Sequence, residues 1–283
     1  MLMPDSVQRF LFERAPIRGE IVHLEAAWQA VLERHDYPPV LRALLGEMMA
    51  AAALLAATIK FEGSLIMQMH GSGPVSLLVV ECENGRTLRA TAKWRGKPEP
   101  GPLAALLGEG RFAITLAAGP GKQSYQGIVD IEGGDVAAVL EHYLRRSEQI
   151  ESRLWLAVDD KRAAGLLLQK LPHPGEGEDW QRAQQLAQTL TEQELLELPA
   201  YSIVRRLYSQ EDVRLFEPRP LAFHCSCSQE RVAAMLRMLG YDEVRAILAE
   251  RGMVDVGCEF CGQSYRFDRW EAERVFIAAA GQR

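Results

Sequence analysis

Four of the five cysteines in this chain lie in two short pairs near its C-terminal end. Cys225 and Cys227 flank one residue, Cys258 and Cys261 flank two, and 30 residues separate the pairs. Four thiolates at this spacing can close around one Zn²⁺ in a tetrahedral site that leaves no position open for a substrate. The pattern therefore predicts a structural zinc centre and argues against a catalytic one.

The same four sulfurs could instead be oxidised to disulfides within each pair, with loss of the metal. A turn at Cys258 and Cys261 brings their Cα atoms within the usual disulfide range of roughly 4.4–6.8 Å. Cys225 and Cys227 lie near the far edge of that range, so their disulfide is expected to be strained and easily reduced. The spacing leaves open whether the centre is a permanent staple or a reversible switch.

The energy that a metal supplies is large compared with the stability of a small domain. Structural zinc contributes on the order of 10–16 kcal/mol of apparent binding energy, which is also folding energy. Whole domains have net stabilities of only about 5–15 kcal/mol. Because the segment around the cysteines, residues 221–283, is short and can build only a thin core, loss of zinc is expected to unfold it.

Composition and charge limit the possible partners. The chain has 283 residues, 48% of them hydrophobic and 25% charged, which is typical of globular proteins. Its net charge is −6, and residues 228–283 carry 8 arginines against 9 acids, a net of −1. Four thiolates around a dication add about two more negative charges, so this surface repels phosphate and we expect no nucleic-acid partner.

The N-terminal residues and the longest apolar run indicate where the protein is located. Residues 1–20 contain no apolar stretch followed by a small-residue cleavage site, so we expect no signal peptide. The longest apolar run, residues 48–59, is shorter than the roughly 20 residues that span a bilayer. We therefore expect a cytoplasmic protein without a membrane partner, a setting in which clustered cysteines usually bind metal or undergo redox chemistry.

The hydrophobic pattern predicts an α+β fold with a largely antiparallel sheet in an N-terminal domain, residues 1–177. Two helices are expected over residues 25–34 and from Pro39 onward, and Asp135 is expected to cap a third. The predicted strands cover residues 7–12, 17–24, 65–70, 75–81, 87–94, 111–116, 125–131, 152–158 and 163–169. A stretch rich in proline, glycine and acids, residues 172–178, marks the end of this domain.

Residues 178–220 are predicted to form a metastable helical linker. Thr191 and Glu194 form a capping box for one short helix, and such helices are marginal unless they pack against a neighbour. Residues 221–283 then form the zinc domain, with helices capped by Ser228, by Asp242 and by an Asp268-containing box.

Several further residues are weaker candidates. Cys82 lies between two glutamates in a predicted strand, where a thiolate is disfavoured, so we interpret it as a packed strand residue. His224 adjoins the first cysteine pair, but four cysteines already fill the site, which favours a supporting or surface role. Met67 and Met69 share one strand face and indicate either core packing or an adaptable binding surface.

Longer motifs resemble a known family. The most specific are residues 223–232, Phe-His-Cys-Ser-Cys-Ser-Gln-Glu-Arg-Val, and residues 258–267, Cys-Glu-Phe-Cys-Gly-Gln-Ser-Tyr-Arg-Phe. Residues 46–55, 60–63 and 147–150 add to the match, which covers nearly the whole chain. The chain thus resembles the bacterial redox-regulated heat-shock chaperones, which are ATP-independent, zinc-binding holdases activated by oxidation.

The resemblance implies a mechanism without an enzymatic step and without catalytic residues. Cys225, Cys227, Cys258 and Cys261 would hold zinc in a reduced, inactive protein. Oxidation would pair Cys225 with Cys227 and Cys258 with Cys261, release zinc, and unfold the zinc domain and the linker. The active form, often a homodimer, would bind unfolding client proteins and later pass them to ATP-dependent foldase chaperones.

Two other classes of function stay open from the residues. A thiol–disulfide oxidoreductase would use Cys258 and Cys261 as a redox pair, but it would want a thioredoxin-like βαβ setting, whereas this pair is predicted in a hairpin between helices. A constitutive zinc-binding interaction module would keep its metal, and reversibility of metal binding distinguishes it from a switch.

Overall fold

The computed structural model describes residues 5–60, 62–119, 123–172 and 177–280. The chain divides into two units, Met1–His224 and Cys225–Arg283. Strands and helices alternate irregularly along the first unit, and almost all strand pairs are antiparallel, so the predicted α+β class is confirmed. The predicted linker limits at residues 178 and 220 stay predictions, and residues 173–176 of the expected boundary lie outside the described part.

The described strands of the first unit follow the predicted positions closely and add three short strands near its end. They are β1 Ser6–Phe12, β2 Ile17–Leu24, β3 Gly63–Gly71, β4 Val75–Glu83, β5 Thr87–Trp94, β6 Gly110–Ala118, β7 Tyr125–Asp130, β8 Ser152–Val158, β9 Ala163–Lys170, β10 Val213–Leu215, β11 Arg219–Pro220 and β12 Ala222–Phe223. The described helices are α1 Ala26–Leu32, α2 Pro39–Thr58, α3 Leu103–Leu107, α4 Val136–Ser147, α5 Glu178–Ala187, α6 Glu192–Glu197 and α7 Ala200–Leu207.

These strands form two sheets, where the sequence had suggested one. The first sheet has the order β10-β1-β2-β9-β8, with β11 also paired to β1, and the second has the order β12-β5-β4-β3-β6-β7. The pairing of β12 with β5 is parallel, and every other described pairing in this unit is antiparallel. The division was not predictable from period-two patterns, because alternation identifies strands but not their partners.

Helix α2 is the centre of the first unit. It begins after Pro38 with a proline at its first turn, and its many alanines let strands approach closely. It contacts β2, β8 and β9 of the first sheet and β3, β4 and β5 of the second. Its 20 residues are long and apolar enough to cross a membrane, but 72% of its most apolar window is buried within the unit, as in a core helix of a soluble fold.

The three helices of the predicted linker, α5, α6 and α7, cover the face of the first sheet that points away from α2. Because side chains alternate along β2, Val22 and Leu24 point into the core around α2, whereas Ile17 and Ile21 join a second apolar cluster. Helices α5, α6 and α7 contribute the remaining side chains of that second cluster, among them Trp180, Leu195 and Ile203. The marginal helices of residues 178–220 are therefore stabilised by packing on a strand surface that is apolar itself.

The second unit is small. It contains α8 Gln229–Leu239, α9 Tyr241–Arg251, the antiparallel strands β13 Val254–Gly257 and β14 Ser264–Phe267, and α10 Arg269–Ala280. Its cluster of buried apolar residues has seven described members: Val232, Leu236, Val244, Val254, Phe267, Ala272 and Val275. A core of this size supplies little folding energy alone, in agreement with the expectation from the sequence.

Two of the three predicted caps in this unit are confirmed, and one is wrong. The Ser228 hydroxyl accepts from the Arg231 N–H at 3.2 Å. Asp268 and Glu271 form a reciprocal box, with each backbone N–H donating to the other side chain. Asp242 does not cap α9, because the helix begins at Tyr241, two residues earlier than such a cap requires. Gly240 occupies the cap position, and Asp242 falls in the first turn.

Candidate metal centre

The four cysteines of the second unit converge on one point. Their Sγ atoms all lie within 4.8 Å of one another, and each residue is half-buried. The Sγ atoms of Cys225 and Cys258 are 3.6 Å apart, and those of Cys227 and Cys261 are 3.3 Å apart. The two pairs, distant in sequence, therefore form a single cluster.

A β-hairpin positions the second pair. Strands β13 and β14 pair up to Gly257 and Ser264, and the knuckle with Cys258 and Cys261 connects them. The Cys258 N–H donates to the Gln263 carbonyl at 2.8 Å, and the Gly262 N–H donates to the Cys258 carbonyl at 2.8 Å. Gly262 has φ 73°, a left-handed conformation that side chains rarely adopt, so glycine is needed to close this turn.

The start of α8 positions the first pair. Cys227 is followed at once by Ser228, which caps the helix. The Arg231 guanidinium donates to the Ser226 hydroxyl at 2.5 Å and so ties the residue between the two cysteines to the first turn. The first pair therefore sits on a helix N-terminus, whose partial positive charge favours thiolates.

The spacing of the sulfurs fits a tetrahedral metal. A Zn–S bond of about 2.3 Å places ligand sulfurs about 3.8 Å apart in a regular tetrahedron. The observed 3.3 Å and 3.6 Å separations are close to that value. Four cysteines without histidine or carboxylate suit zinc, and within the described residues no other group of candidate ligands comes together in this way.

The pKa values of the second cysteine pair are consistent with a site for a cation. Burial, together with contacts to the neighbouring cysteines, raises the pKa of the Cys261 thiol to about 12. Burial likewise raises the pKa of Cys258, although the backbone N–H groups of Cys261 and Phe260 act in the opposite direction. The thiolate forms of these two residues therefore call for a compensating charge, which a divalent metal would supply.

Tyr265 is a supporting residue that sequence reasoning missed. It lies on β14, and its hydroxyl donates to the Cys227 sulfur at 3.0 Å. Contact with Cys227 raises the pKa of the tyrosine to about 12, because its ionised form would lie beside sulfur. The only hint in the sequence is the alternation of Tyr265 with the buried Phe267 in the strand that follows the knuckle.

The weaker candidates fall outside this centre. Cys82 is 1% exposed on β4, and burial raises its pKa to about 12, so its interpretation as a packed strand residue is confirmed. Met67 and Met69 are fully buried, which selects core packing over a binding surface. His224 belongs to the first unit, is exposed, and donates its backbone N–H to the Leu88 carbonyl.

The fold and the centre together define an α+β protein whose small C-terminal unit is organised by a four-cysteine metal-binding cluster. A family model described as "Hsp33 protein" matches residues 5–268. The chain belongs to the Hsp33 family of chaperones.

Relatives support this assignment over the whole length. A "33 kDa chaperonin" of Methylobacillus flagellatus is 50% identical over 280 residues, which cover 98% of this chain and 96% of the relative. A protein of the same description from Chromobacterium violaceum is 52% identical, with 98% and 96% covered. The crystal structure of the 33 kDa chaperonin from Thermotoga maritima has the same fold, with a TM-score of 0.84, 22% identity, and 98% and 99% coverage.

Proposed function

We propose that this protein is a redox-regulated, ATP-independent holdase that binds unfolding proteins during oxidative or heat stress. The observation that carries the proposal is the convergence of four cysteines in a unit whose buried apolar cluster has seven members among the described residues. Such a unit depends on its metal for order. Membership of a chaperone family supports the idea that order in this unit controls client binding.

In the resting state, Cys225, Cys227, Cys258 and Cys261 hold one Zn²⁺. The metal supplies charge compensation for four thiolates and thereby folding energy for the unit. Tyr265 stabilises the Cys227 thiolate by its hydrogen bond, and the backbone N–H groups of the knuckle stabilise the Cys258 thiolate. These donors lower the reactivity of the sulfurs until a strong oxidant is present.

Oxidation removes the ligands in pairs. Each pair of thiols loses two electrons and two protons as one S–S bond forms, and hypochlorite or peroxide takes the electrons and is reduced to chloride and water, or to water. We assign the disulfides to Cys225–Cys227 and Cys258–Cys261, since each pair lies on one local segment. A disulfide sulfur is a poor ligand for zinc, so the metal leaves after oxidation.

Loss of the metal then unfolds the second unit and the linker helices. The seven-residue apolar cluster is too small to hold the second unit folded, and the linker helices lie immediately before it in the chain. When the linker leaves the first sheet, side chains of both surfaces become exposed, including Phe10, Ile21, Trp180 and Ile203. An apolar surface of this kind binds unfolded clients.

The proposal extends to the location, assembly and partners of the protein. The protein acts in the cytoplasm, is not an enzyme, and forms a homodimer when oxidised. Binding does not use ATP, and reduction of the disulfides lets clients pass to ATP-dependent foldase chaperones. No nucleic acid or membrane takes part.

Oxidation of the purified, zinc-loaded protein tests the proposal. Released zinc, free thiols and suppression of client aggregation are followed together during treatment with hypochlorite and after reduction. The proposal predicts loss of four thiols, release of one zinc per chain and a gain of activity, all reversed by reductant and zinc. Zinc that stays bound, or that leaves without a gain of activity, would contradict it.

The alternatives predict different results in the same experiment. A constitutive zinc module loses its function when zinc leaves instead of gaining one. A thiol–disulfide oxidoreductase turns over a disulfide substrate, and the position of Cys258 and Cys261 in an antiparallel hairpin, instead of a βαβ unit, speaks against it.

A further inference from the structure

A cavity of about 520 Å³ lies in the first unit, far along the chain from the cysteines. It opens between the two sheets where α2 and α4 end, since β2 and β9 line one side and β3, β6 and β7 line the other. Its walls are mostly aliphatic: Leu55, Ile59, Leu65, Ile114, Leu116 and Ile150. The volume is typical of a site for a small molecule.

Arg18 introduces a fixed positive charge into this apolar space. It is half-buried on β2, and its Nε donates to the Gln169 Oε1 at 2.9 Å. Gln169 is itself 1% exposed and donates to the Ser152 hydroxyl at 3.0 Å, which fixes the amide. This relay orients the guanidinium through its Nε. Among the described residues neither terminal nitrogen has a hydrogen-bond partner, so both can meet a ligand.

The charge of Arg18 is only partly compensated by the described residues. The nearest acid on its strand, Glu20, is bound by Arg9 at 2.6 Å and forms no ion pair with Arg18. Burial, and then repulsion from Arg9, lower the pKa of Arg18, and attraction to Glu20 opposes them only in part, so an anion beside Arg18 would relieve an unfavourable charge.

The rim carries one further charge of each sign. Lys60 lines the cavity at the end of α2, and Glu148 lines it after α4. Glu148 is exposed and accepts a hydrogen bond from the Tyr143 hydroxyl at 2.9 Å. The two cations outnumber the one acid, so the cavity as a whole favours a single negative charge.

We propose that this cavity binds the carboxylate of a free medium-chain fatty acid. Arg18 would hold the carboxylate through its terminal nitrogens, a bidentate geometry that guanidinium and carboxylate share. The aliphatic walls would take a chain of about eight to twelve carbons, given the usual volumes of ligand sites. A small polar anion such as phosphate is a poor fit, because most of the surface that it would meet beside Arg18 is apolar.

Calorimetry on the reduced, zinc-loaded protein tests this site with sodium decanoate and 1-decanol, both below their aggregation concentrations. Decanoate is expected to bind at least tenfold more tightly than decanol, because only the carboxylate pairs with Arg18. Octanoate is expected to bind about tenfold more weakly than decanoate, because two fewer methylenes are buried.

Substitutions locate the binding. Arg18→Met keeps the bulk of the side chain and should abolish the preference for decanoate over decanol, whereas Arg18→Lys should retain a large part of it. Arg95→Met removes an exposed arginine away from the cavity and should bind decanoate as the parent does. Thermal unfolding of each variant establishes that it is folded.

Three results would overturn the proposal: equal binding of decanoate and decanol, unchanged decanoate binding in Arg18→Met, or binding only to vesicles of phosphatidylglycerol. Binding only to vesicles would mean that Arg18 pairs with lipid headgroups at a membrane surface instead of with a free fatty acid. The comparison of decanoate with decanol uses the parent protein alone, so it decides the matter even if Arg18→Met does not fold. None of these measurements depends on the redox chemistry.

Discussion

At the scale of single residues, the convergence of the four cysteines could be predicted, but the residues that support them could not. The spacing of Cys225, Cys227, Cys258 and Cys261 was enough to expect one cluster, and the sulfurs do converge. Tyr265 was missed, because a hydrogen bond to Cys227 depends on the twist of a hairpin, which no spacing rule encodes. Arg18 was missed as well, since its place in a largely apolar cavity becomes visible only when the neighbours across two sheets are known.

Tyr265→Phe tests the supporting hydrogen bond. Loss of the hydroxyl removes a donor to the Cys227 sulfur, so zinc affinity is expected to fall about tenfold, and oxidation by peroxide to speed up. Competition with a chromophoric chelator measures the affinity. Tyr241→Phe, in the same unit but packed on Phe276, is the matched control and should behave like the parent. Equal affinities in the two variants would contradict the assigned role.

Cys82→Ser tests whether the fifth cysteine is a bystander. The thiol is buried with its pKa raised to about 12, so it has no reactive thiolate near neutral pH. The variant is expected to lose about 1–3 kcal/mol of stability from burying a hydroxyl, and to release zinc on oxidation as the parent does. Denaturant unfolding and the zinc-release assay check both parts, and a failure of zinc release in the folded variant would mean that Cys82 belongs to the switch.

At the scale of secondary structure, the sequence predicted most elements of the first unit to within a few residues. Alternation along β2 and the capping box of α6 are local features, which explains this success. The strands β10, β11 and β12 were not expected, because they are two or three residues long and form only by pairing with β1 or β5. The docking of the linker helices on the first sheet likewise depends on tertiary contacts, which local sequence does not reveal. Their short length had indicated only that they need a neighbour.

Ile203→Asp tests whether linker docking restrains activity. Ile203 is 0% exposed in the cluster between α7 and the first sheet, and a buried aspartate there should cost about 3–5 kcal/mol. The expected result is a variant that suppresses client aggregation without oxidant while its zinc stays bound. Tyr201→Asp, on the same helix but 60% exposed, is the control and should remain inactive. If the linker undocks in Ile203→Asp but the variant does not suppress client aggregation, linker docking does not control client binding.

Linker docking is also expected to depend on pH through His23. Its Nε2 lies 3.0 Å from the Leu195 carbonyl of α6, and burial lowers its pKa from 6.5, with opposition from the carbonyls of Leu195 and Leu198 and a further lowering by Arg162. When the linker undocks, the exposed His23 imidazole binds a proton at a higher pH than the buried one does. Protonation therefore favours the undocked linker as pH falls. Docking should be unaffected above about pH 7 and weaken as pH falls below about 6.5.

Hydrogen exchange of the amides of α6 and α7, corrected for intrinsic rates, measures this dependence. The parent should lose protection between about pH 7 and pH 5.5. His23→Gln keeps a donor for the Leu195 carbonyl but does not titrate, so its protection should be flat over the same range. Identical profiles for the two proteins would show that another group controls the linker.

At the scale of the whole molecule, the chain combines a unit with a large core and a small unit around four clustered cysteines. The first unit buries α2 between two sheets, whereas the buried apolar cluster of the second has seven members among the described residues. The difference in core size was predictable from the length of each part. The two-sheet architecture was not, since strand partners are chosen by long-range packing.

The central claim is that oxidation disorders the second unit and the linker while the first unit around α2 stays folded. Hydrogen exchange with mass spectrometry on reduced and oxidised protein tests it most directly. Peptides from residues 178–220 and 225–280 are expected to lose protection on oxidation in step with the gain of client binding, while those from α2 and β9 keep theirs. A client-binding oxidised protein whose linker helices remain as protected as in the reduced form would contradict this mechanism.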